Sequence, residues 1–423
     1  HGPTHLSPSV LVHTLSSMSP VAAHRASPAM WSPQPPPPRL QLRRPAGTPL
    51  HSSRRLSRIA ASQEDPLTAL TRVLWGRALP PSQLVLAVRH GWTSAWRLLM
   101  RQLAPSDPAT GAFTRTPSRF PAVAQPAPGP GARLHLYVGL PCPWAHRALL
   151  VRALLGLGPR LPVSVAVPGD DGAWSFTPES PDALYGSRRL RDVYAARRGG
   201  FEGRASVPML WDADRREVVC NESIEIAKFL CTLADDGALD LWPPEHRQEI
   251  DRWYGVIYPS VNNGVYRCGF AQSQAAYDAA AAELFDALDM LEGHLSGSRY
   301  LCAGAGVTLA DVCLFTTLIR FDLVYNPLFR CSRRKLVEYP SLHAYMREIY
   351  QLPAAAETCD MAAIADGYFG TLFPLNPGGI LPVVPASCSR EALMKPHGRE
   401  ALPSAAAAAA DGRQLGAAAS IVG

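Results

Sequence analysis

A strand-like run, Leu134-His-Leu-Tyr-Val138, passes through Gly139-Leu-Pro141 to Cys142 and then directly into a helix-like segment that opens Pro143-Trp-Ala-His-Arg147. That placement constrains both the local fold and the thiol. Backbone N–H groups at a helix start are unpaired and carry roughly +0.5 charge, so they favour a thiolate over a thiol. Pro143 suits the first helical position, where its missing N–H costs nothing.

The signals around this turn alternate. A strand over Arg133–Val138 leads to a helix over Pro143–Leu155 and a strand over Val163–Val167, then to strands at Met209–Trp211 and Glu217–Val219 and a helix from Ser223. This β-α-β, β-β-α order is the thioredoxin-like arrangement. The span 170–201 is longer than most connections, which predicts an insertion that carries function. Beyond about residue 240 the pattern turns helical, with Ile250, Trp253 and Ile257, and then Ala281, Leu284, Leu288, Leu291 and Leu295, at spacings of three and four. Thr308-Leu-Ala-Asp311 has the form of a capping box before the apolar run Val312–Phe321, which makes Asp311 structural. The expected fold class is therefore α+β, a thioredoxin-like domain over 131–235 followed by an all-α domain over 236–384.

The ends read differently. Residues 1–63 hold no Asp or Glu and are dense in Pro, Ser, His and Arg, including Pro35–Pro38 and the pairs Arg43-Arg44 and Arg54-Arg55. This is transit-peptide composition, with the chloroplast as the expected address and mitochondrion or cytoplasm as alternatives. Residues 64–130 read as an extension, whose helix-like part Thr93–Leu103 is placed to dock on the main fold and whose Pro-rich part, 104–130, reads as a wrapping loop. After Pro385 the sequence passes into the alanine tract 405–410, so 385–423 is expected to be a disordered tail.

The net charge of +6 says little about partners, because the acid-poor leader contributes much of it and the remainder is near neutral. No basic stripe with interleaved aromatics argues for nucleic acid. Nor does any uncharged apolar run reach the roughly eighteen residues of a membrane span. The nine cysteines, at 142, 220, 231, 268, 302, 313, 331, 359 and 388, form no CxxC pair and fit neither a disulfide framework nor a zinc site. Most read as small buried hydrophobes, which suits a reducing compartment.

Six motifs carry a resemblance over about 131–384: Cys142-Pro-Trp-Ala-His-Arg147, Val207-Pro-Met-Leu-Trp-Asp212, Asn221-Glu-Ser223, Asn262-Asn-Gly-Val-Tyr-Arg-Cys-Gly-Phe-Ala271, Arg320-Phe-Asp-Leu-Val-Tyr325 and Asn376-Pro-Gly-Gly-Ile380. Together they resemble the glutathionyl-hydroquinone reductases, the xi class of glutathione transferases. The resemblance implies Cys142 as nucleophile, Tyr325 and Tyr368 as hydroxyls donating to its sulfur, and Tyr266 as the proton donor or acceptor beside the hydroquinone oxygen. It implies glutathione contacts from Trp174, Arg204, Ala205, Ser206 and Val207, with a cis Val207-Pro208 bond, and from Glu222 and Ser223 at a helix start. Glutathione is then a co-substrate, with no bound cofactor and no metal, the second substrate is a glutathionyl-hydroquinone, and the protein is a homodimer. In the implied cycle Cys142 takes glutathione from the hydroquinone as a mixed disulfide, and a second glutathione releases it as oxidised glutathione.

Three positions depart from the family pattern: Pro141 stands where relatives carry a small residue, Leu323 replaces a proline, and Asp366-Gly367 replaces a basic or polar pair. Gly367 is expected to loosen the backbone under Tyr368. His146 and Arg147 are expected to pack or pair, and Trp144 to pack. Two alternatives stay open, an omega-like transferase acting on dehydroascorbate or glutathione disulfides and a non-catalytic binding protein of the same fold. Tyr266 separates the first, since disulfide exchange has no ring to protonate.

Overall fold

The computed structural model describes residues 81–403, apart from positions 130, 170 and 236; the predicted transit segment and the alanine tract lie outside the described residues. The chain enters through helix α1 (Ser82–Leu103), which starts well before the expected Thr93. One stripe of it docks: Met100 and the following Ala104 are fully buried, and the Trp96 indole N–H donates to Pro374 O at 2.9 Å.

Strands β1 (Leu134–Val138), β2 (Val163–Val165), β5 (Met209–Asp212) and β6 (Glu217–Cys220) form one sheet in the order β2-β1-β5-β6. The β1–β2 pair is parallel, with Leu136 beside Val163, while β1–β5 and β5–β6 are antiparallel. Helix α2 (Pro143–Leu154) supplies the right crossover length from β1 to β2. It packs with α4 (Ser223–Cys231), burying Ala148, Val151, Ile226 and Leu230. The thioredoxin-like order is thus as the apolar alternation predicts.

The long span after β2 resolves into ordinary structure. A short hairpin pairs β3 (Val167–Pro168) with β4 (Trp174–Ser175), and helix α3 (Leu190–Ala195) fills the crossover into β5. This helix escapes periodicity because it is six residues long; Leu190, Val193 and Tyr194 bury its inner face. Between α1 and β1 the Pro-rich stretch does wrap the molecule as a strap. Its Ala124 N–H donates to Val219 O at 2.8 Å, Asn221 N–H donates to Phe120 O at 3.0 Å, and Phe120 N–H donates to the Asn221 side-chain Oδ1 at 3.0 Å.

The helical domain runs through α5 (Arg247–Ile257), α6 (Gly264–Phe270), α7 (Gln274–Gly297), α8 (Leu309–Arg320), α9 (Pro340–Tyr350) and α10 (Met361–Phe369). In α7 the leucines of the predicted stripe, Leu284, Leu288, Leu291 and Leu295, are fully buried, and Ala281 is half-buried. Asp311 is structural, accepting from Thr308 N, Leu301 N and the Tyr345 hydroxyl. Two wide turns, Tyr258–Asn262 after α5 and Phe321–Tyr325 after α8, each close an i-to-i+5 bond, Asn263 N to Tyr258 O and Asn326 N to Phe321 O, both 2.8 Å. Such wide turns recur at functional sites.

The boundary expected at 385 is corrected. Residues 385–403 fold back on the helical domain through α11 (Arg390–Leu393), with Leu393 buried and the Arg399 guanidinium paired to Glu348 at 3.1 Å. Arg399 also donates to the carbonyls of Leu295, Ser298 and Arg299, which makes this segment a clasp rather than a tail. No helix among the described residues is long and apolar enough to cross a membrane.

Candidate active site

Cys142 caps the start of α2 with extended backbone, φ −74° and ψ 117°, and Pro143 occupies the first helical position as expected. Its thiol donates to Val207 O at 3.6 Å, on the loop that holds the cis Val207–Pro208 bond. The expectation of a lowered thiol pKa needs correction. Burial is the largest influence and pushes the thiol above its ordinary value, while the Ala145 and Trp144 amides, Arg320 and Arg115 pull it back without prevailing. The helix start stabilises the anion, but desolvation of a compact charge outweighs it.

The three tyrosines converge. Tyr266 comes from α6, Tyr325 from the second wide turn and Tyr368 from α10; the Tyr266 and Tyr368 hydroxyls lie 2.6 Å apart and those of Tyr325 and Tyr368 3.1 Å apart. Tyr368 is the link of the chain. Among the described residues these hydroxyls bond one another and none donates to Cys142 Sγ, which corrects the role expected of Tyr325 and Tyr368. Burial raises all three, and a Cys142 thiolate raises Tyr266 further while Arg115 lowers it, so the hydroxyls keep their protons at neutral pH.

Gly367 does not loosen this arrangement. It lies within α10 against Pro141, where an added Cβ would collide with Pro141 Cγ and Cβ, so its missing side chain lets the Cys142 loop approach. Two of the three expected departures, at Pro141 and at Gly367, thus form one contact.

Glu222 and Ser223 stand at the start of α4. The buried Ser223 hydroxyl accepts from Arg147 Nη1 at 3.2 Å and donates to Glu222 Oε1 at 3.4 Å, while Glu222 Oε2 accepts from Ser118 Oγ at 2.8 Å. Arg147 continues through Nη2 to Asn262 Oδ1 at 2.6 Å, and Asn262 donates to Cys313 O and Thr317 Oγ1. Arg147 therefore pairs, as expected, and ties the two domains beneath the helix start. Ser206 is fixed by the Tyr194 hydroxyl on its carbonyl at 2.8 Å and by Asn221 on its hydroxyl. Ala205 is half-buried, and Arg204 is exposed on the same loop. Trp174 lies on β4 over Gly139, where an added Cβ would run into the indole, so glycine is required for the ring to sit beside the Cys142 loop. Backbone N–H groups at the α4 start, the Val207 edge and the Arg204 cation together suit a ligand with carboxylates at both ends, such as glutathione.

Two arginines that sequence reasoning missed face the thiol. Arg320, fully buried at the end of α8, donates to Pro141 O at 3.0 Å, Leu140 O at 2.9 Å, Thr316 O at 2.9 Å and His146 Nδ1 at 2.8 Å. It has no carboxylate partner among the described residues. Because Arg320 can only donate, His146 Nδ1 is the acceptor and Nε2 carries the proton toward Thr358 Oγ1 at 2.8 Å. Burial and Arg320 hold His146 neutral, far below its ordinary range, so it is a structural group rather than a base for Cys142. Arg115 comes from the strap and lies 4.4 Å above the Trp144 ring and 4.9 Å above the Tyr266 ring. Arg320 could have been found as the first residue of the motif that ends in Tyr325; Arg115 lies in a loop without periodicity and gives no such signal.

Two family models match, glutathione S-transferase N-terminal domain over residues 141–233 and glutathione S-transferase C-terminal domain over residues 274–348. The chain is 41% identical over 309 residues to the glutathionyl-hydroquinone reductase YqjG of Escherichia coli, covering 69% of this chain and 93% of the relative. The glutathione-bound structure of YqjG is similar with a TM-score of 0.61 at 40% identity, covering 67% of this chain and 96% of that one. The glutathionyl-hydroquinone reductase PcpF of Sphingobium chlorophenolicum is 42% identical over 266 residues, covering 61% of this chain and 84% of PcpF. The glutathione-S-transferase Xi of Phanerochaete chrysosporium is similar at a TM-score of 0.63 and 38% identity, covering 67% of this chain and 95% of its own. With its thioredoxin-like domain, its helical domain and relatives covered almost end to end, the chain belongs to the glutathione transferase superfamily, in the xi-class branch of glutathionyl-hydroquinone reductases.

Proposed function

We propose that the protein reduces glutathionyl-hydroquinones to hydroquinones with glutathione as reductant. The observation that carries this reading is the single thiol at the α2 start, set against a relay of three protonated tyrosines with no second cysteine in its loop. Tyr266 protonates the ring carbon that bears sulfur while a ring hydroxyl loses its proton, giving the keto tautomer. The Cys142 thiolate attacks the glutathionyl sulfur, and the electron pair of the broken carbon–sulfur bond passes through the ring to the oxygen, which takes up a proton. Sulfur is oxidised to a Cys142–glutathione disulfide and the ring is reduced. A second glutathione thiolate attacks that disulfide, restoring the Cys142 thiolate and releasing oxidised glutathione.

Mass spectrometry of the protein mixed with a glutathionyl-hydroquinone tests the cycle. A mass gain of one glutathionyl group on Cys142, lost in Cys142→Ser, is the expected result; no adduct on the wild-type protein refutes it. Tyr266→Phe is expected to slow hydroquinone release while leaving exchange with a glutathione mixed disulfide intact. Equal loss of both activities counts against the proton-donor role and favours the thiol transferase reading.

A further inference from the structure

The strap reaches the junction of the two domains and is anchored to both. On the helical side Gln272 N–H donates to Gly111 O at 2.9 Å and Ser273 Oγ to Thr110 O at 2.6 Å. On the thioredoxin-like side Ser118 is bonded to Glu222 and Phe120 to Asn221. Arg115 lies midway between these anchors, so its position is set by both domains at once. Its Nε donates to Asn263 Oδ1 at 2.9 Å, and its central carbon lies 4.4 Å from the Trp144 ring centroid and 4.9 Å from that of Tyr266.

Only one of its five N–H donors is used among the described residues. Among the described residues neither terminal nitrogen has an acceptor, and no carboxylate pairs with the charge. A guanidinium packed against aromatic rings with its outer edge unbonded is preorganised to receive an anionic or carbonyl oxygen.

We infer that Arg115 binds the aryl half of the substrate, its terminal N–H groups donating to a ring oxygen of the hydroquinone. This rests on the proposed reaction, in which the electron pair released from the carbon–sulfur bond arrives on that oxygen. A fixed cation there stabilises the charge as it forms and orients the ring so that its sulfur-bearing carbon faces Tyr266. The strap thereby becomes the element that selects hydroxylated or oxo-bearing rings over other glutathione adducts.

The test compares kcat/KM of the full-length protein for a glutathionyl-hydroquinone with kcat/KM for the mixed disulfide of glutathione and β-mercaptoethanol. Any change in the Cys142 thiolate scales both reactions, so their ratio isolates the ring contact. Arg115→Met is expected to lower the ratio by about tenfold or more, the loss of one charge-assisted hydrogen bond in the transition state, with Arg115→Lys recovering part of it. A ratio within about twofold of wild type in Arg115→Met overturns the inference, including the case in which both activities fall together. A wild-type protein that exchanges the disulfide but leaves the glutathionyl-hydroquinone untouched refutes the proposed reaction itself, and the inference with it.

Discussion

Replacing Arg320 separates two effects that the fold combines in one side chain. Four hydrogen bonds end on its guanidinium, two of them to the Leu140 and Pro141 carbonyls of the loop that carries Cys142. Charge-assisted bonds contribute about 1.5–3 kcal/mol each, so the gross loss in Arg320→Met is roughly 6–12 kcal/mol. Against this stands the relief of no longer burying a cation, several kcal/mol in itself, which leaves a net destabilisation of about 3 kcal/mol. Arg320→Lys is expected to cost at least as much, because one ammonium nitrogen cannot span the loop carbonyls, Thr316 and His146, yet the charge stays buried. Urea denaturation should therefore rank wild type above Met and Met at or above Lys. Thiol reactivity should rank differently. Arg320 pulls the Cys142 thiol toward ionisation against burial, so in Arg320→Met the thiol rises further, while Lys retains the charge. The pH dependence of Cys142 alkylation, read by mass spectrometry of the modified peptide, checks this. A folded Arg320→Met protein whose alkylation profile coincides with wild type would refute the electrostatic reasoning and leave Arg320 a purely mechanical brace.

The same geometry sets other outcomes. Gly367→Ala drives a Cβ into Pro141 and is expected to destabilise by about 1–3 kcal/mol and slow turnover, with Pro141→Gly, which removes both colliding atoms, restoring part of both; additive losses in the double variant would refute the contact. His146 has its folded-state pKa depressed below the ordinary 6.5, so the unfolded chain binds the proton first and stability falls as pH drops below about 6.5, by up to about 1.4 kcal/mol per pH unit. In His146→Gln this slope is expected to be shallower by that amount, measured by urea midpoints between about pH 5 and pH 7. With the Cys142 thiol raised, its alkylation in the ligand-free protein is expected to keep accelerating past the ordinary thiol value of 9.0; a plateau below about pH 8 overturns the dominance of burial.

The frame was legible because it rests on local pattern. Strand alternation, the Cys142-Pro143 helix start and the Thr308–Asp311 cap are all encoded within a few residues. What stayed hidden depends on partners distant in sequence. Helix α3 is too short to show a period, and Arg399, in a stretch that reads as a tail, is ordered by Glu348 and by carbonyls at the end of α7. In the site, the tyrosines stand out through their motifs, whereas Arg115 and Arg320 look like ordinary charges until the fold shows that, among the described residues, no carboxylate answers them. The thiol obeys the same rule. Its helix start is a local property, but the burial that outweighs it is a tertiary one.

The close approach of Pro141 to Gly367 also bears on how such a sequence is reached by single substitutions. With any side chain at 367, proline at 141 collides; with glycine at 367, either a small residue or proline fits. The route therefore has a direction: glycine first, proline second. Once proline is in place, position 367 is closed to any side chain unless position 141 first loses its Cβ or the backbone shifts, so the pair behaves as a ratchet beside the nucleophile.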